Sequence, residues 1–315
     1  MPRIASLLPS ATEIVCALGA QDDLVAVSHE CDWPHDVVGL PVLTRPKMSP
    51  SPSSLGIDRS VRDVVREALS VYDIDTARFE TLAADVVVTQ DLCDVCAVSL
   101  TDVRAAVTRL ARHDVTIVTL RPERLQNIFT DIERTGAAIG RAAEAACVVA
   151  SLRARVEAVR TRAAASVARP SVLTVEWIEP TMVGGMWMPE LITIAGGAPL
   201  VTTPGQRAPT LSHADLARVD PDVVLVKPCG FPLKRTLAEL EALPRILPWA
   251  EWRCVRDGRV FLADGNAYFN RPGPRIVDSL EILAACLHPE LFADYRERYT
   301  DAVRRVGPDL ATHRW

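Results

Sequence analysis

The alternation of short apolar runs with helical patterns constrains the fold more than any other feature of this chain. Runs rich in Val, Ile and Leu recur in both halves, separated by helical patterns of roughly 10–15 residues, and this order predicts βα units with parallel sheets. The predicted strands are Ile4–Leu8, Leu24–Val27, Val86–Thr89 and Val115–Leu120, then Val172–Ile178, Val223–Val226, Val260–Ala263 and a weaker run near Leu200. We therefore expect an α/β protein with two similar halves.

A single long helix is predicted between the halves. Residues 141–165 contain no Gly or Pro, and Val149, Leu152, Val156 and Val159 recur at the three- and four-residue steps of an amphipathic helix. At 1.5 Å per residue such a helix is roughly 38 Å long, enough to cross from one lobe to the other. The expected parts are an N-terminal α/β lobe at 1–140, an interlobe helix at 141–168 and a C-terminal α/β lobe at 169–315.

Composition and charge exclude several functional classes. Hydrophobic residues make up 49% of the 315 residues and charged residues 24%, as in ordinary soluble globular proteins. The formal net charge is -5 and there is no long Lys/Arg run, so we expect no nucleic-acid partner. No apolar stretch reaches roughly 18 residues, and we expect no transmembrane segment.

The amino terminus does not have the pattern of a signal peptide. Its apolar stretch is interrupted by Pro9, Ser10, Thr12 and Glu13, and no small-residue cleavage site follows it. We therefore expect a cytoplasmic protein. A true start site further upstream, with a signal peptide, would make the protein periplasmic.

Four of the eight cysteines follow predicted strands, where α/β sheets bind ligands. Cys31 comes after the second strand, Cys93 and Cys96 after the third, and Cys229 after a strand of the second half. The CxxC pair with Cys31 would give three thiolates, and Cys229 or His29 would be the fourth ligand of a zinc ion or an iron–sulfur cluster. The alternative is that these cysteines are small buried hydrophobes in loops.

The remaining cysteines are expected to pack in the core. They are Cys16, Cys147 and Cys286, inside helical patterns, and Cys254, in an edge-like segment.

The first helix follows the first strand directly, and Ser10 with Glu13 has the spacing of a capping box. Amino termini of helices attract carboxylates, amides and phosphates, so the start of this helix is a second candidate for ligand contact.

Aromatic side chains gather at the predicted strand ends of the second half. Only 5% of the chain is aromatic, yet Trp177, Trp187, Tyr268 and Phe269 all fall there. Broad apolar surfaces with a few polar groups suit a large planar ligand such as a tetrapyrrole or a corrin. The alternative is that these side chains fill space between the lobes.

Motifs of common enzyme classes are missing. The sequence contains no Gly-x-Ser-x-Gly elbow, no phosphate-loop lysine motif and no His-Glu-x-x-His. We assign no catalytic residue and expect a binding protein rather than an enzyme.

Several segments taken together resemble class III solute-binding proteins of ABC importers, most closely the cobalamin-binding type. The matching segments are Ile4–Ile14, Leu18-Gly19, Cys31–Pro34, Asp222–Val226 and Arg271–Arg275. The resemblance implies two Rossmann-like lobes joined by one backbone helix, with the ligand in the cleft between them. It also implies which residues face the ligand: Pro9, Ser10, Thr12, Trp33, Trp177, Trp187, Tyr268, Asn270 and Arg271.

Residues and resemblance together give one expected function and one alternative. We expect a soluble protein that holds a small-molecule ligand, a corrinoid (cobalamin-like) or another metal-centred compound, in the interlobe cleft. An ABC permease is expected as a partner only if the protein is exported. The alternative is a cytoplasmic metalloprotein or enzyme with a cysteine-ligated zinc or iron–sulfur centre in the cleft.

Overall fold

The fold is taken from a computed structural model, which describes residues 1–47, 51, 53–66, 72–90, 101, 104, 105 and 115–315, with only the backbone at 64–66. Cys93 and Cys96 lie outside the described residues. Among the described helices, none combines the length and apolar character that crossing a bilayer requires.

The chain forms two compact units. The first consists of Met1–Pro52, Gly56–Pro122 and Gln126–Leu152, and the second of Ser53–Leu55, Glu123–Leu125 and Arg153–Trp315. The division therefore falls inside the long helix. The lobe boundaries expected at residues 140 and 169 remain a prediction.

The first unit is built on a parallel four-stranded sheet in the order β2-β1-β5-β6. Every residue of its central strand β5 is buried, as expected for a parallel strand covered on both faces. Two further strands, β3 and β4, form an antiparallel pair. The strands are β1 (Ile4–Ser6), β2 (Leu24–Ala26), β3 (Thr44–Pro46), β4 (Tyr72–Ile74), β5 (Val86–Gln90) and β6 (Thr116–Leu120).

Helices alternate with these strands along the chain, and the last of them continues into the second unit. They are α1 (Pro9–Ala17), α2 (Ser54–Arg66), α3 (Thr76–Leu82), α4 (Leu125–Ala138) and α5 (Ala142–Ala164), with short 3-10 turns at Gln21–Asp23 and His35–Val37. The carboxylate of Asp75 caps α3 by accepting a hydrogen bond from the backbone N–H of Arg78.

The second unit contains a seven-stranded mixed sheet in the order β13-β12-β11-β10-β7-β8, with β9 paired to β7. Strands β7, β10 and β11 run parallel, whereas β8, β12 and β13 are antiparallel to their neighbours. The strands are β7 (Ser171–Trp177), β8 (Met182–Val183), β9 (Ala198–Pro199), β10 (Val223–Val226), β11 (Val260–Ala263), β12 (Val303–Val306) and β13 (Thr312–Arg314).

The helices of the second unit are short apart from one that is almost wholly buried. That helix, α11, runs from Ile276 to Leu287. The full set is α6 (Met188–Ile194), α7 (His213–Leu216), α8 (Leu233–Ala238), α9 (Leu243–Ile246), α10 (Arg253–Arg256), α11 (Ile276–Leu287) and α12 (Ala293–Arg298), with a 3-10 turn at Leu240–Ala242.

The α/β class with parallel sheets is confirmed, because a strand lies at each of the predicted apolar runs. In each unit the carboxyl ends of the parallel strands lie at one edge of the sheet. Those edges position the candidate site residues.

The predicted long helix is also present, but one cysteine on it is misassigned. Its buried stripe is Ala145, Val149, Leu152, Val156, Val159 and Ala163. Cys147 is exposed, because a position two residues after Ala145 faces roughly 200° away from it on an α-helix. The expectation that Cys147 packs in the core is therefore wrong.

The buried Asp131 on α4 gives the first unit a testable pH dependence. Its Oδ2 accepts a hydrogen bond from the backbone N–H of Arg121 at 2.7 Å, and the guanidinium of Arg134 lies 3.2 Å from Oδ1. Burial nevertheless raises the pKa of Asp131 from 3.8 to about 6. The folded state therefore holds this proton more tightly than the unfolded state, so the Asp131 contribution to stability falls as pH rises from about 4 to 6.

We expect Asp131→Asn to lose this pH dependence. Relative to the variant, the wild type should lose on the order of 2 kcal/mol of unfolding free energy over that interval, since each pKa unit corresponds to about 1.4 kcal/mol. Urea unfolding at a series of pH values measures the difference. Asp294→Asn is the control with the opposite sign, because Arg162 lowers the pKa of Asp294. Parallel curves for wild type and Asp131→Asn would refute the expectation.

Candidate functional site

A buried ammonium group lies at the strand ends of the second unit. Lys227 directly follows β10 and has no exposed surface. Its Nζ lies 3.1 Å from Glu176 Oε2 and 2.9 Å from Asn270 Oδ1. The Asn270 amide in turn donates to the backbone carbonyls of Lys227 and Gly265, both at 2.9 Å. One network therefore joins the end of β7, the end of β10 and the loop after β11.

Aromatic side chains lie next to this network. Trp177, the last residue of β7, meets Phe231 edge to face with ring centroids 5.3 Å apart. The Arg235 guanidinium lies 4.0 Å from the centre of the Phe231 ring. Trp177 is half-buried, and its indole N–H is buried without a hydrogen-bond partner among the described residues. An unsatisfied buried donor costs free energy, so a polar contact to this indole N–H would stabilise the site.

The other expected aromatic contacts are more deeply packed. Trp187 is 9% exposed, and its indole N–H donates to the carbonyl of Phe269 at 2.9 Å. Phe269 is fully buried with a φ of 67°, a conformation that a bulky residue rarely adopts outside sites that impose it. Its backbone N–H is held by the Ser279 hydroxyl at 2.7 Å. Most of the Trp187 side chain is therefore packed within the protein, where it holds this loop. Direct ligand contact by Trp187 remains a prediction.

The rest of that loop carries one half-buried and one buried expected ligand residue. Tyr268 packs edge to face on Tyr299 at 6.0 Å, and the Arg275 guanidinium lies 5.8 Å from its ring centre. Arg271 is 6% exposed and donates to Asn266 Oδ1 at 2.9 Å. These contacts fix both side chains before any ligand arrives.

In the first unit, a hydroxyl pair and a thiol lie where β1 meets α1. The hydroxyl of Thr12, which is fully buried, donates to Ser6 Oγ at 2.7 Å and lies 3.1 Å from the Cys31 sulfur. The predicted capping box is wrong. Helix α1 begins at Pro9, where the missing N–H of proline needs no cap, and Ser10 falls inside the first turn. The Ser10 hydroxyl is buried and has no partner among the described residues.

A second polar cluster in the first unit orients His29. The Thr44 hydroxyl donates to Ser28 Oγ at 3.0 Å and accepts from the His29 backbone N–H at 3.0 Å. The ring Nδ1 of His29 lies 2.7 Å from the same oxygen. With the Thr44 hydroxyl donating to Ser28, the neutral tautomer that fits this network carries its proton on Nδ1 and leaves the lone pair of Nε2 open. Desolvation by the surrounding protein lowers the pKa of His29, which favours that neutral form.

Three further expected site residues are accessible. Trp33 is 49% exposed, Pro9 is half-buried, and Cys229 is exposed with its backbone N–H bonded to the carbonyl of Glu176 at 3.0 Å. Among the described residues, no three His, Cys, Asp or Glu side chains are close enough to hold a metal ion. A zinc or iron–sulfur site with Cys31, Cys93, Cys96, Cys229 and His29 remains a prediction, because Cys93 and Cys96 lie outside the described part of the chain.

Sequence reasoning did not assign Glu176 and Lys227 to the site. The signal was the position of both charged residues at the carboxyl ends of buried strands. A charge in that position must be paired or face a ligand.

Comparison with known proteins identifies the family to which the sequence is similar. The sequence profile of a family described as "Periplasmic binding protein" matches residues 4–267. No curated protein sequence matches the chain significantly. Solved structures with a similar fold include a periplasmic heme binding protein of Pseudomonas aeruginosa, with 21% identity, 92% of this chain and 94% of that chain covered, and a TM-score of 0.69.

Two further structures are similar over nearly their whole length. The periplasmic vitamin B12 binding protein BtuF of Vibrio cholerae has 21% identity, covers 91% of this chain and 96% of its own, and has a TM-score of 0.64. An ABC transporter substrate-binding protein of Listeria monocytogenes has 17% identity, covers 92% and 99%, and has a TM-score of 0.68. At these identities the likeness concerns the fold.

Cysteine accessibility gives a direct test of the described site geometry. Cys147 and Cys229 are exposed, whereas Cys254 and Cys286 are buried. Burial raises the pKa of Cys254 to about 12 and also raises that of Cys286, so neither forms the reactive thiolate at neutral pH. We expect a maleimide to modify Cys147 and Cys229 in the folded protein and the buried pair only after denaturation, as measured by peptide mass spectrometry. Modification of folded Cys254 as fast as Cys229 would contradict the described packing.

Proposed function

Because the chain belongs to the periplasmic binding protein family, whose members bind solutes, we propose that its solute is a metal-centred tetrapyrrole, with a corrinoid as the leading candidate. The observation that carries the proposal is the pair of half-buried aromatic side chains, Trp177 and Tyr268, at the strand ends of the second unit, with Trp177 supported by the buried ring of Phe231. Rigid aromatic faces bind a planar macrocycle with little loss of conformational entropy. Proteins of similar fold are described as binding heme or vitamin B12, which supports the same ligand class.

The orientation of His29 supports a metal-centred ligand in particular. A neutral imidazole whose Nδ1–H is held by Thr44 offers Nε2 as a metal ligand, the arrangement typical of metal-binding histidines. Cys31, next to Thr12, is a second candidate donor on the same unit. In this proposal the metal arrives with the ligand and is cargo rather than a resident cofactor.

An ABC permease is the proposed partner, since a protein of similar fold is described as an ABC transporter substrate-binding protein. A permease partner requires an exported chain. The cytoplasmic location expected from the sequence remains a prediction, and fractionation of cells producing the untagged protein decides between these locations.

The aromatic surface provides the first test of this function. We expect the wild type to bind cyanocobalamin or cobinamide in titration calorimetry, and Trp177→Ala to weaken binding at least about tenfold, because the planar face and the indole donor are both lost. Leu291→Ala is the matched control. Leu291 is an exposed apolar residue of the same unit that follows α11, and its removal should leave affinity unchanged. Absence of binding by corrinoids and by hemin would overturn the proposal.

The imidazole of His29 provides the second test. We expect His29→Ala to shift the Soret band of the hemin complex and to lower hemin affinity about tenfold or more, because an iron ligand is removed. His213→Ala, an exposed histidine at the start of α7, is the control and should leave the spectrum unchanged. An unaltered Soret band in His29→Ala would exclude His29 as the ligand of the iron.

A further inference from the structure

We propose that Glu176, seated on the buried Lys227, is a specificity residue that selects ligands presenting amide N–H donors and disfavours ligands presenting carboxylates. The inference rests on the proposed function, in that it assumes a tetrapyrrole at the strand ends of the second unit. It adds the chemical class of the ligand's peripheral groups. That class separates corrinoids, whose side chains end largely in primary amides, from hemes, whose side chains include two carboxylates.

The burial of the ion pair is asymmetric, and this decides which charge a ligand meets. The side chain of Lys227 is 1% exposed, whereas that of Glu176 is 24% exposed. The ammonium therefore lies beneath the carboxylate, although the pair as a whole is neutral. A ligand that reaches this surface contacts an acceptor-only group first.

The carboxylate also has unused acceptor capacity. An ionised carboxylate offers about four lone-pair sites. Within the described part of the chain, its one side-chain hydrogen bond is the contact with Lys227 at 3.1 Å. Two or more ligand N–H groups can therefore bind it without displacing the ammonium.

The position of the carboxylate is fixed before the ligand binds. Lys227 cannot move away, because Asn270 holds its ammonium and also donates to its backbone carbonyl. The backbone of Glu176 is held by the N–H of Cys229 at 3.0 Å. A preorganised carboxylate of this kind favours ligands that donate hydrogen bonds to it. It disfavours ligands that leave the carboxylate unpaired and ligands whose negative charge it repels.

Two neighbouring arginines already have partners on the protein. Arg235 lies on the Phe231 ring and has further contacts of its own. Arg271 is 6% exposed and donates to Asn266. Of the two charges in the Lys227–Glu176 pair, the one that a ligand can reach is therefore that of Glu176.

Two corrinoids that share one macrocycle and one metal test the inference. Cobinamide carries amide side chains, and cobyrinic acid carries carboxylic acids in their place. We expect the wild type to bind cobinamide at least about tenfold more tightly than cobyrinic acid by titration calorimetry. In Glu176→Gln this ratio should fall at least about fivefold, because Gln supplies a donor and removes the charge that repels the acid.

A matched variant separates local selection from general charge repulsion. Glu179→Gln removes the same charge three residues further along the chain, but Glu179 binds Arg245 instead of Lys227, and the wild-type ratio should persist. Because Glu176→Gln leaves Lys227 without its carboxylate, the double variant Glu176→Gln with Lys227→Met removes both charges and should show the same loss of selectivity. Thermal unfolding followed by circular dichroism establishes that each variant is folded.

The possible outcomes are distinct. Equal binding of both corrinoids by the wild type, or an unchanged ratio in both Glu176 variants, overturns the inference and leaves the proposed function intact. Binding of neither corrinoid nor hemin overturns both. Loss of the ratio in Glu179→Gln as well would assign the preference to net charge and refute the role of Glu176.

Discussion

A single buried charge organises the strand-end surface of the second unit. Lys227 has no exposed surface, and an ammonium in such a place is tolerated only when it is paired and hydrogen-bonded. Its partners are Glu176 at the end of β7 and Asn270 in the loop after β11, so meeting this requirement fixes that loop relative to the strand end. The parallel register in which Val226 faces Val175 places the two charged residues that follow side by side. Trp177 and Cys229 take their positions from the same constraint.

In the first unit, the polar groups near the strand ends are paired with neutral side chains instead of charged ones. Ser6, Thr12 and Cys31 form one short chain of contacts, and Ser28, Thr44 and His29 form another. Hydroxyl groups can both donate and accept, so each chain satisfies buried atoms without a full charge. Their end points are a sulfur and an imidazole, which are soft or borderline metal ligands. The second unit ends instead in a carboxylate and an indole N–H, which in the proposed complex contact the periphery of the ligand rather than its metal.

Much of the fold follows from local sequence, and much of the site does not. The all-apolar run Val223–Val226 predicts a buried parallel strand, and the Gly- and Pro-free stretch predicts α5, because both signals lie within a few residues. The pairing of Lys227 with Glu176 spans 51 residues and depends on strand order, which no local pattern encodes. The capping box at Ser10 failed because Pro9 can begin a helix unaided. The bond from the indole N–H of Trp187 to Phe269 spans 82 residues and has no local signal either, and the ligand contact expected of Trp187 remains a prediction.

Apolar contacts alone do not discriminate between the planar ligands that proteins of this fold bind. Corrins and porphyrins both present a broad flat macrocycle, so a face such as Trp177 gains similar burial from either. Discrimination must then come from polar groups whose positions are fixed, since a displaced or unpaired polar group costs more than a lost apolar contact. A carboxylate resting on a buried ammonium satisfies this condition, because the ammonium sets its position and leaves its outer lone pairs open. In the proposed complex, the cost of burying Lys227 is therefore linked to the selectivity of the surface above it.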